Sequence, residues 1–469
     1  MRCGTDKKHL KTAVIFAIIL IASIVHICVS DAGSLDELWN YNFSRMITMG
    51  MLPYRNYNMV PTPLFTMLMS LPLFICRNLL VFRIACACLT ALICFLFLRL
   101  LVRDSGDHLS ALPFVLIAVL LTDYVSYNNL FLLEVLAVYY LFERSGFTKY
   151  SMVVGALCTA SVFTRQTSGC LLLMISFILT LIFYKKKTKN ALLFTAGAAI
   201  PGLAFLLYFI FTSSLNDFWD YCLFSLTGFG KSNNHFFSGS IILLLLLIAE
   251  LAVEIHAVIK KKEKLYIAHL LLGIPVLSVM APIVDYSHAQ FAVIYFFIPV
   301  FRILHDSFAG NIRKNITVIL SGLVFVCISV FGFSKIAGTA TVSDIAELKY
   351  IPVEQTLLSD YSDIAEMTAK WRSEGYSVTL FTSSSVIVSI INGDADPPYD
   401  TFNEGNFPGS IENHMVYVKE ACSRKDSIII IASDYNEEGW QNPEGVLEYV
   451  QDNCVIEGSY GRFLICKAL

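Results

Sequence analysis

The chain alternates long apolar runs with short polar breaks, and then changes character near residue 340. A membrane-spanning helix needs about 20 apolar residues. Segments 12–30, 81–102, 109–123, 128–143, 151–164, 167–184, 190–212, 239–259, 265–283, 289–305 and 315–334 have that character, several of them short. The segment 61–76, PTPLFTMLMSLPLFIC, is also apolar, but it is short for a span and carries three prolines. It reads as a helix lying on or dipping into the outer leaflet.

Basic residues test that choice. With 61–76 left out, eleven spans remain, and the clusters Lys7/Lys8/Lys11, Arg99/Arg103, Lys149, KKKTK (185–189), KKKEK (260–264) and Arg313/Lys314 all fall on the cytoplasmic side, as the positive-inside rule requires. Counting 61–76 as a span would put both KKK clusters outside. The basic N-terminus before the first run, with no small-residue cleavage site after it, reads as a retained signal anchor with a cytoplasmic N-terminus. The outer face then receives the loop 31–80, short loops at 123–128, 164–167 and 284–288, the loop 213–238 and the whole C-terminal region.

That region alternates helix-like and strand-like stretches. DIAEMTAKWRSEG (363–375) and VLEYVQDN read as helices, and YSVTLFTSS, SIIIIASDY and GRFLICKAL as strands. The expected architecture is therefore mainly α: a polytopic membrane helical bundle over 1–338, with a small extracytoplasmic α/β domain over 339–469.

Composition supports this division. Only 15% of residues are charged, and mean hydropathy is +0.64, whereas a soluble domain carries about 25% charged residues. From Thr341 onward there are 21 acidic and 8 basic residues, a balance of −13, against +10 for the rest. The acidic tail argues against nucleic acid as a partner. The 13 cysteines include no C-x-x-C pair and sit mostly inside apolar runs, where a thiol is a small packing group. A disulfide among Cys422, Cys454 and Cys466 is open but not required. NFS (42–44) and NIT (315–317) match the glycosylation pattern, which also arises by chance.

Ionisable groups near membrane depth are costly, so their recurrence at one face is informative. Asp36 and Glu37 head the first outer loop. Asp123 ends a later span in LLTDYVSYNN, Arg165 another in SVFTRQTSG, and Asp285 and His288 a third in APIVDYSHAQF. Each has a plainer reading. The acids could be solvated loop residues or helix caps, and Arg165 a snorkelling interfacial cation. Together they could form a site for group transfer from a lipid-linked donor. A carboxylate would take or orient an acceptor proton, and a guanidinium would hold the carrier phosphate. Trp39, Tyr41, Tyr54 and Tyr57 could stack on a sugar, or simply belong to the interfacial aromatic belt.

LDELWNYNFSRMITMGMLPYRNYNMVPTPLF resembles the first outer loop of GT-C superfamily glycosyltransferases, the membrane enzymes that use polyprenyl-phosphate sugars, such as protein O-mannosyltransferases and aminoarabinose transferases. The matching features are Asp36-Glu37, the Gly50-to-Tyr54 turn, Pro61/Pro63 and Arg83. The resemblance implies Asp36 as general base or acceptor-orienting acid, with Glu37 supporting it or capping a helix. It implies Asp123 as a second acid and Arg165 as the phosphate contact, where the family more often shows Lys. Arg83 would meet a phosphate or anchor a helix end. Tyr54, Asp285 and His288 complete the candidate substrate contacts. The implied partners are a polyprenyl-phosphate sugar donor, a glycan, lipid or protein acceptor, and the bilayer of a bacterial plasma membrane. The resemblance fixes no cofactor. Two acids could hold a divalent cation, although no metal-ligand spacing argues for one.

The competing reading is a transporter or flippase of a lipid-linked glycan. Its clue is Glu250 and Glu254, one turn apart inside an apolar span. The plain account is a hydrogen bond to a neighbouring helix. His26, inside the first span, reads as a core histidine.

Overall fold

The structure is a computed structural model that describes residues 2–30, 35–57, 59–103, 106–122, 125–145, 149–183, 187–224, 236–307, 339–342, 344–382, 385–394, 411–434 and 445–469, with scattered positions between 319 and 330. The first ten apolar segments all fold as helices: α1 (Arg2–Cys28), α4 (Leu79–Leu101), α5 (His108–Leu121), α6 (Tyr127–Ser145), α7 (Ser151–Val162), α8 (Gln166–Phe183), α9 (Lys187–Phe211), α11 (Ile241–Lys261), α12 (Lys264–Leu277) and α13 (Tyr286–Ser307). The segment 315–334 lies largely outside the described residues.

Among the described residues, five helical stretches are long and apolar enough to cross a membrane: Leu10–Cys28, Leu79–Leu101, Gln166–Phe183, Lys187–Phe211 and Ser238–Lys261. Shorter apolar helices cover Leu64–Leu73, His108–Leu121, Ser151–Val162 and Lys264–Met280. This makes the chain an integral membrane protein of several spans. The count of eleven is finer than helix length and composition establish.

The loop 31–80 is more structured than its polarity suggests. It holds α2 (Leu35–Thr48) and α3 (Leu64–Leu73). The latter buries Phe65, Met69 and Leu73 and exposes Leu68 and Leu71, with Phe74 and Ile75 exposed just past its end, as suits a helix with one face on protein and the other on lipid. A short helix, α10 (Leu215–Trp219), follows α9.

Small residues set how closely the helices pack. Helices α7 and α9 meet at Gly155 and Gly197. A methyl group at Gly197 would collide with the carbonyl of Met152, and one at Gly155 with that of Phe194. Neither backbone can retreat without opening the seam. Gly197→Ala is therefore expected to destabilise the protein by about 1–3 kcal/mol, read as a lowered melting temperature in detergent. An unchanged melting temperature would contradict this packing.

Inside the bundle, Glu254 accepts from His269 Nδ1 at 2.6 Å, joining α11 to α12. His269 stacks on Tyr295 of α13 at 4.2 Å, and the Tyr295 hydroxyl donates to the His269 carbonyl. Glu250 is buried, and its carboxyl finds no partner among the described residues.

The C-terminal region begins with a small antiparallel pair, β1 (Thr339–Thr341) and β2 (Pro352–Glu354). Four further strands, β3 (Ser377–Phe381), β4 (Ser427–Ala432), β5 (Cys454–Tyr460) and β6 (Phe463–Ala468), form a sheet in the order β3-β4-β6-β5. Strands β3 and β4 are parallel and the other pairings antiparallel. Central β4 is buried along its whole length, which explains its unbroken SIIIIA run. Helices α14 (Gln355–Ser373), α15 (Ser385–Asn392), α16 (Ile411–Ser423) and α17 (Val446–Asn453) complete the region. The sheet has its own core around Phe381, Ile429 and Phe463. Val342, Leu348, Ile351, Val353, Val386 and Ile390 instead join the core of the helical bundle.

Candidate active site

Helix α2 sets the geometry. Of the described side chains from 36 to 48, only Asp36 is exposed. Successive helical residues turn by about 100°, so the neighbouring Glu37 points elsewhere. It is buried, and its carboxylate takes a bidentate pair of bonds from Arg83 of α4, Nε to Oε1 at 2.7 Å and Nη2 to Oε2 at 2.6 Å. Arg83 Nη1 also donates to the Ser30 carbonyl. Both groups are thus used in holding the start of α2 against α4, the anchoring role that was one of the two readings of Arg83.

Asp36 is exposed as a residue, yet its carboxyl is closely surrounded by protein. Limited hydration raises its pKa. The charge of His288 pulls the other way, and that of Asp285 adds to the rise. Tyr127, which opens α6, feels the charges of Arg165, Asp36 and Asp285 together. The guanidinium of Arg165 lies over the Tyr127 ring, 5.8 Å from its centroid. Asp36, Tyr127, Arg165, Asp285 and His288 therefore form one cluster, drawn from the start of α2, the first residue of α6, the connection before α8 and the start of α13.

Arg165, Asp285 and His288 are each held by hydrogen bonds. Arg165 donates to Asn128 Oδ1, to Ser168 Oγ at 3.2 Å and to the Val279 carbonyl at 3.0 Å. Asp285 stands just before α13 and accepts from the Ser287 hydroxyl at 2.8 Å, the His288 amide at 2.8 Å and His288 Nδ1 at 2.7 Å. Burial works to raise the Asp285 pKa, but these bonds and the His288 charge outweigh it and hold the carboxyl below the usual range. The same residue thus caps a helix and fixes the His288 ring.

Other expected contacts lie elsewhere. Tyr54 is buried, donates to the Pro61 carbonyl at 2.8 Å and packs edge-on against Phe209 and Phe218. Its φ of 68° places a non-glycine residue in the left-handed region, held there by this aromatic core. Tyr41 donates to Glu347 and Tyr57 to the Phe43 carbonyl, so both are interior groups. Trp39 is half-buried, one turn from Asp36. Asp123 lies outside the described residues. Asn42, in the NFS motif, is fully buried and bonded to Arg45, which excludes a glycan there in the folded chain. Tyr127 and Asn128 belong to the cluster, and sequence reading passed over them. Their signal was position, since YNN follows Asp123 in an outer loop already singled out.

By sequence, no family model and no curated protein matches the chain. By structure, ArnT from Cupriavidus metallidurans in the apo state aligns with TM-score 0.59 at 10% identity, over 97% of each chain. The same protein bound to undecaprenyl phosphate aligns with TM-score 0.56 at 10% identity, over 97% of this chain and 98% of that one. An Archaeoglobus fulgidus oligosaccharyltransferase, tethered to an acceptor peptide containing the NVT sequon, aligns with TM-score 0.52 at 11% identity, over 98% of this chain and 74% of that one.

Proposed function

We propose that this chain, whose fold is that of the GT-C glycosyltransferases, transfers a sugar from a polyprenyl-phosphate carrier to an acceptor at the outer face of a membrane. The observation that carries the reading is that the charges of Asp36 and Arg165 both act on Tyr127, with the Arg165 guanidinium lying over its ring. A base and a phosphate-binding cation must both reach the reacting centre, and here the fields of both act on one residue. One aligned structure, ArnT, holds undecaprenyl phosphate, a carrier of the proposed kind.

On this reading the Asp36 carboxylate takes the proton of an acceptor hydroxyl. The hydroxyl oxygen bonds to the anomeric carbon as the bond from that carbon to the phosphate oxygen breaks, and the carrier phosphate leaves with the electron pair. Arg165 stabilises the phosphate before and after transfer through charge-assisted bonds. His288, oriented by Asp285, faces the same space and contacts donor or acceptor. Glu37 and Arg83 act by holding α2. Asp123 is retained as a second acid of the same outer face.

The topology proposed with this function has eleven spans, a cytoplasmic N-terminus and the C-terminal domain outside, in a bacterial plasma membrane. The domain boundary falls at 338/339. The transporter reading would need a polar path through the bundle. The Glu254–His269 pair is a local bond between adjacent helices, which favours the plain account of that acid.

The test is sugar transfer in proteoliposomes supplied with a panel of polyprenyl-phosphate sugars. Turnover of one donor, with release of the carrier phosphate, is expected. No turnover of any donor, together with movement of a lipid-linked glycan across the bilayer, would favour the transporter. Arg165→Lys keeps a charge but loses the planar fork. It is expected to raise the donor KM about tenfold, equivalent to 1.4 kcal/mol. An unchanged KM would remove Arg165 from the phosphate.

A further inference from the structure

Arg45 is fully buried near the C-terminal end of α2. Its Nε donates to Glu347 Oε2 at 2.6 Å, and Tyr41 donates to the same oxygen at 2.9 Å. Nη1 donates to Asn42 Oδ1 at 3.0 Å. Nη2 donates to the carbonyls of Ser389 at 3.1 Å and Asp394 at 2.6 Å, at the C-terminal end of α15. A cation there also meets the negative end of the helix dipole. Glu347 sits on a turn held by Asn78, whose side-chain amide donates to the carbonyls of Ala346 at 2.8 Å and Lys349 at 3.3 Å. One guanidinium thus joins α2 to two separate pieces of the C-terminal region.

Asp36 and Arg45 are nine positions apart, which places them on opposite faces of α2, about 180° around the axis. One faces water and the other is locked into protein. A guanidinium held by four hydrogen bonds has little freedom to slide, so the rotation and height of α2 are fixed from behind. At a reacting centre a displacement of about 1 Å can cost about a hundredfold in rate.

We propose that Arg45 is a positioning residue. Through Glu347 and the end of α15 it makes the C-terminal region set the placement of Asp36, so that this region is part of the catalytic apparatus as well as a separate folded unit. The inference rests on Asp36 being the base. It also assigns the C-terminal region a mechanical role in turnover: whatever shifts the turn at Glu347 shifts the carboxylate.

The test compares Arg45→Lys and Glu347→Gln with the wild-type full-length protein in two measurements. In steady-state transfer, both variants are expected to lower kcat at least about tenfold while donor KM stays within about twofold. In hydrogen–deuterium exchange, peptides covering Leu35–Thr48 are expected to exchange faster, while those covering β3 and β4 keep wild-type protection. Unchanged kcat, or unchanged exchange in α2, would overturn the proposal. Faster exchange across β3 and β4 as well would overturn it too, since the bond would then only hold the domain folded. The exchange measurement needs no substrate. A wild-type protein that transfers no sugar would count against the glycosyltransferase reading alone, and α2 exchange would still decide what Arg45 holds.

Discussion

Asp36→Asn is expected to lower kcat for sugar transfer by about 10²- to 10⁴-fold, the usual range for loss of a positioned base. The amide keeps the shape of the side chain and cannot take a proton. Donor KM should change little, because the phosphate is assigned to Arg165. The pH profile gives an independent check. Limited hydration, opposed by His288 and assisted by Asp285, raises the Asp36 pKa. Only the ionised form is a base, so the rate should rise with pH through a limb lying above the ordinary aspartate range. Asp36→Asn should abolish that limb along with the rate. Stability should move the other way. A raised carboxyl pKa means that the folded state disfavours the ionised form. This cost is absent below the unfolded pKa and present in full above the folded one. At neutral pH the asparagine variant should therefore melt at the wild-type temperature or higher. A variant that melts lower would have lost activity through its fold.

The second large effect is on stability. Arg83→Met should destabilise the protein by about 3–5 kcal/mol, because it leaves the Glu37 carboxylate buried with its bidentate partner gone. The loss is read as a lowered melting temperature in detergent. Adding Glu37→Leu to Arg83→Met removes the stranded charge and should recover most of that loss, since an apolar pair of similar volume often replaces a buried ion pair at little cost. If the double variant melts no higher than the single one, the damage lies in the other bonds of Arg83, the one to the Ser30 carbonyl among them.

The sequence revealed different features to different depths. Long apolar runs are a direct chemical signal, and the first ten became helices. In the tail, SIIIIA and VLEYVQDN stand out because burial and helical periodicity mark them. Strand β5 (CVIEGSY) went unread, since most of its side chains are exposed or half-exposed and its pairing comes from the backbone of β6. At the site, the adjacent pair Asp36-Glu37 drew attention as a unit, but the helix separates them. Their divergence becomes visible only once 35–48 is known to be helical, and its polar loop-like composition hid that. Arg45 and Glu347 stand 302 residues apart. No local pattern can mark such a pair, because the fold alone brings it together. Tyr54 shows the opposite failure. An outer-loop tyrosine suggests a sugar contact, whereas the aromatic cluster around Phe209 takes it into the interior.

The two faces of α2 have a consequence for how such a scaffold changes over time. Substitutions behind the helix strike buried ion pairs and are eliminated through misfolding. Those around position 36, and on the connections facing it, cost little folding energy and alter only what is brought to the carboxylate. What the site takes can therefore change while the frame stays fixed, and the frame itself aligns over 97% of the chain at 10% identity. A library meant to retarget this protein should vary the water-facing rim of α2 and leave Glu37, Arg45 and Arg83 untouched.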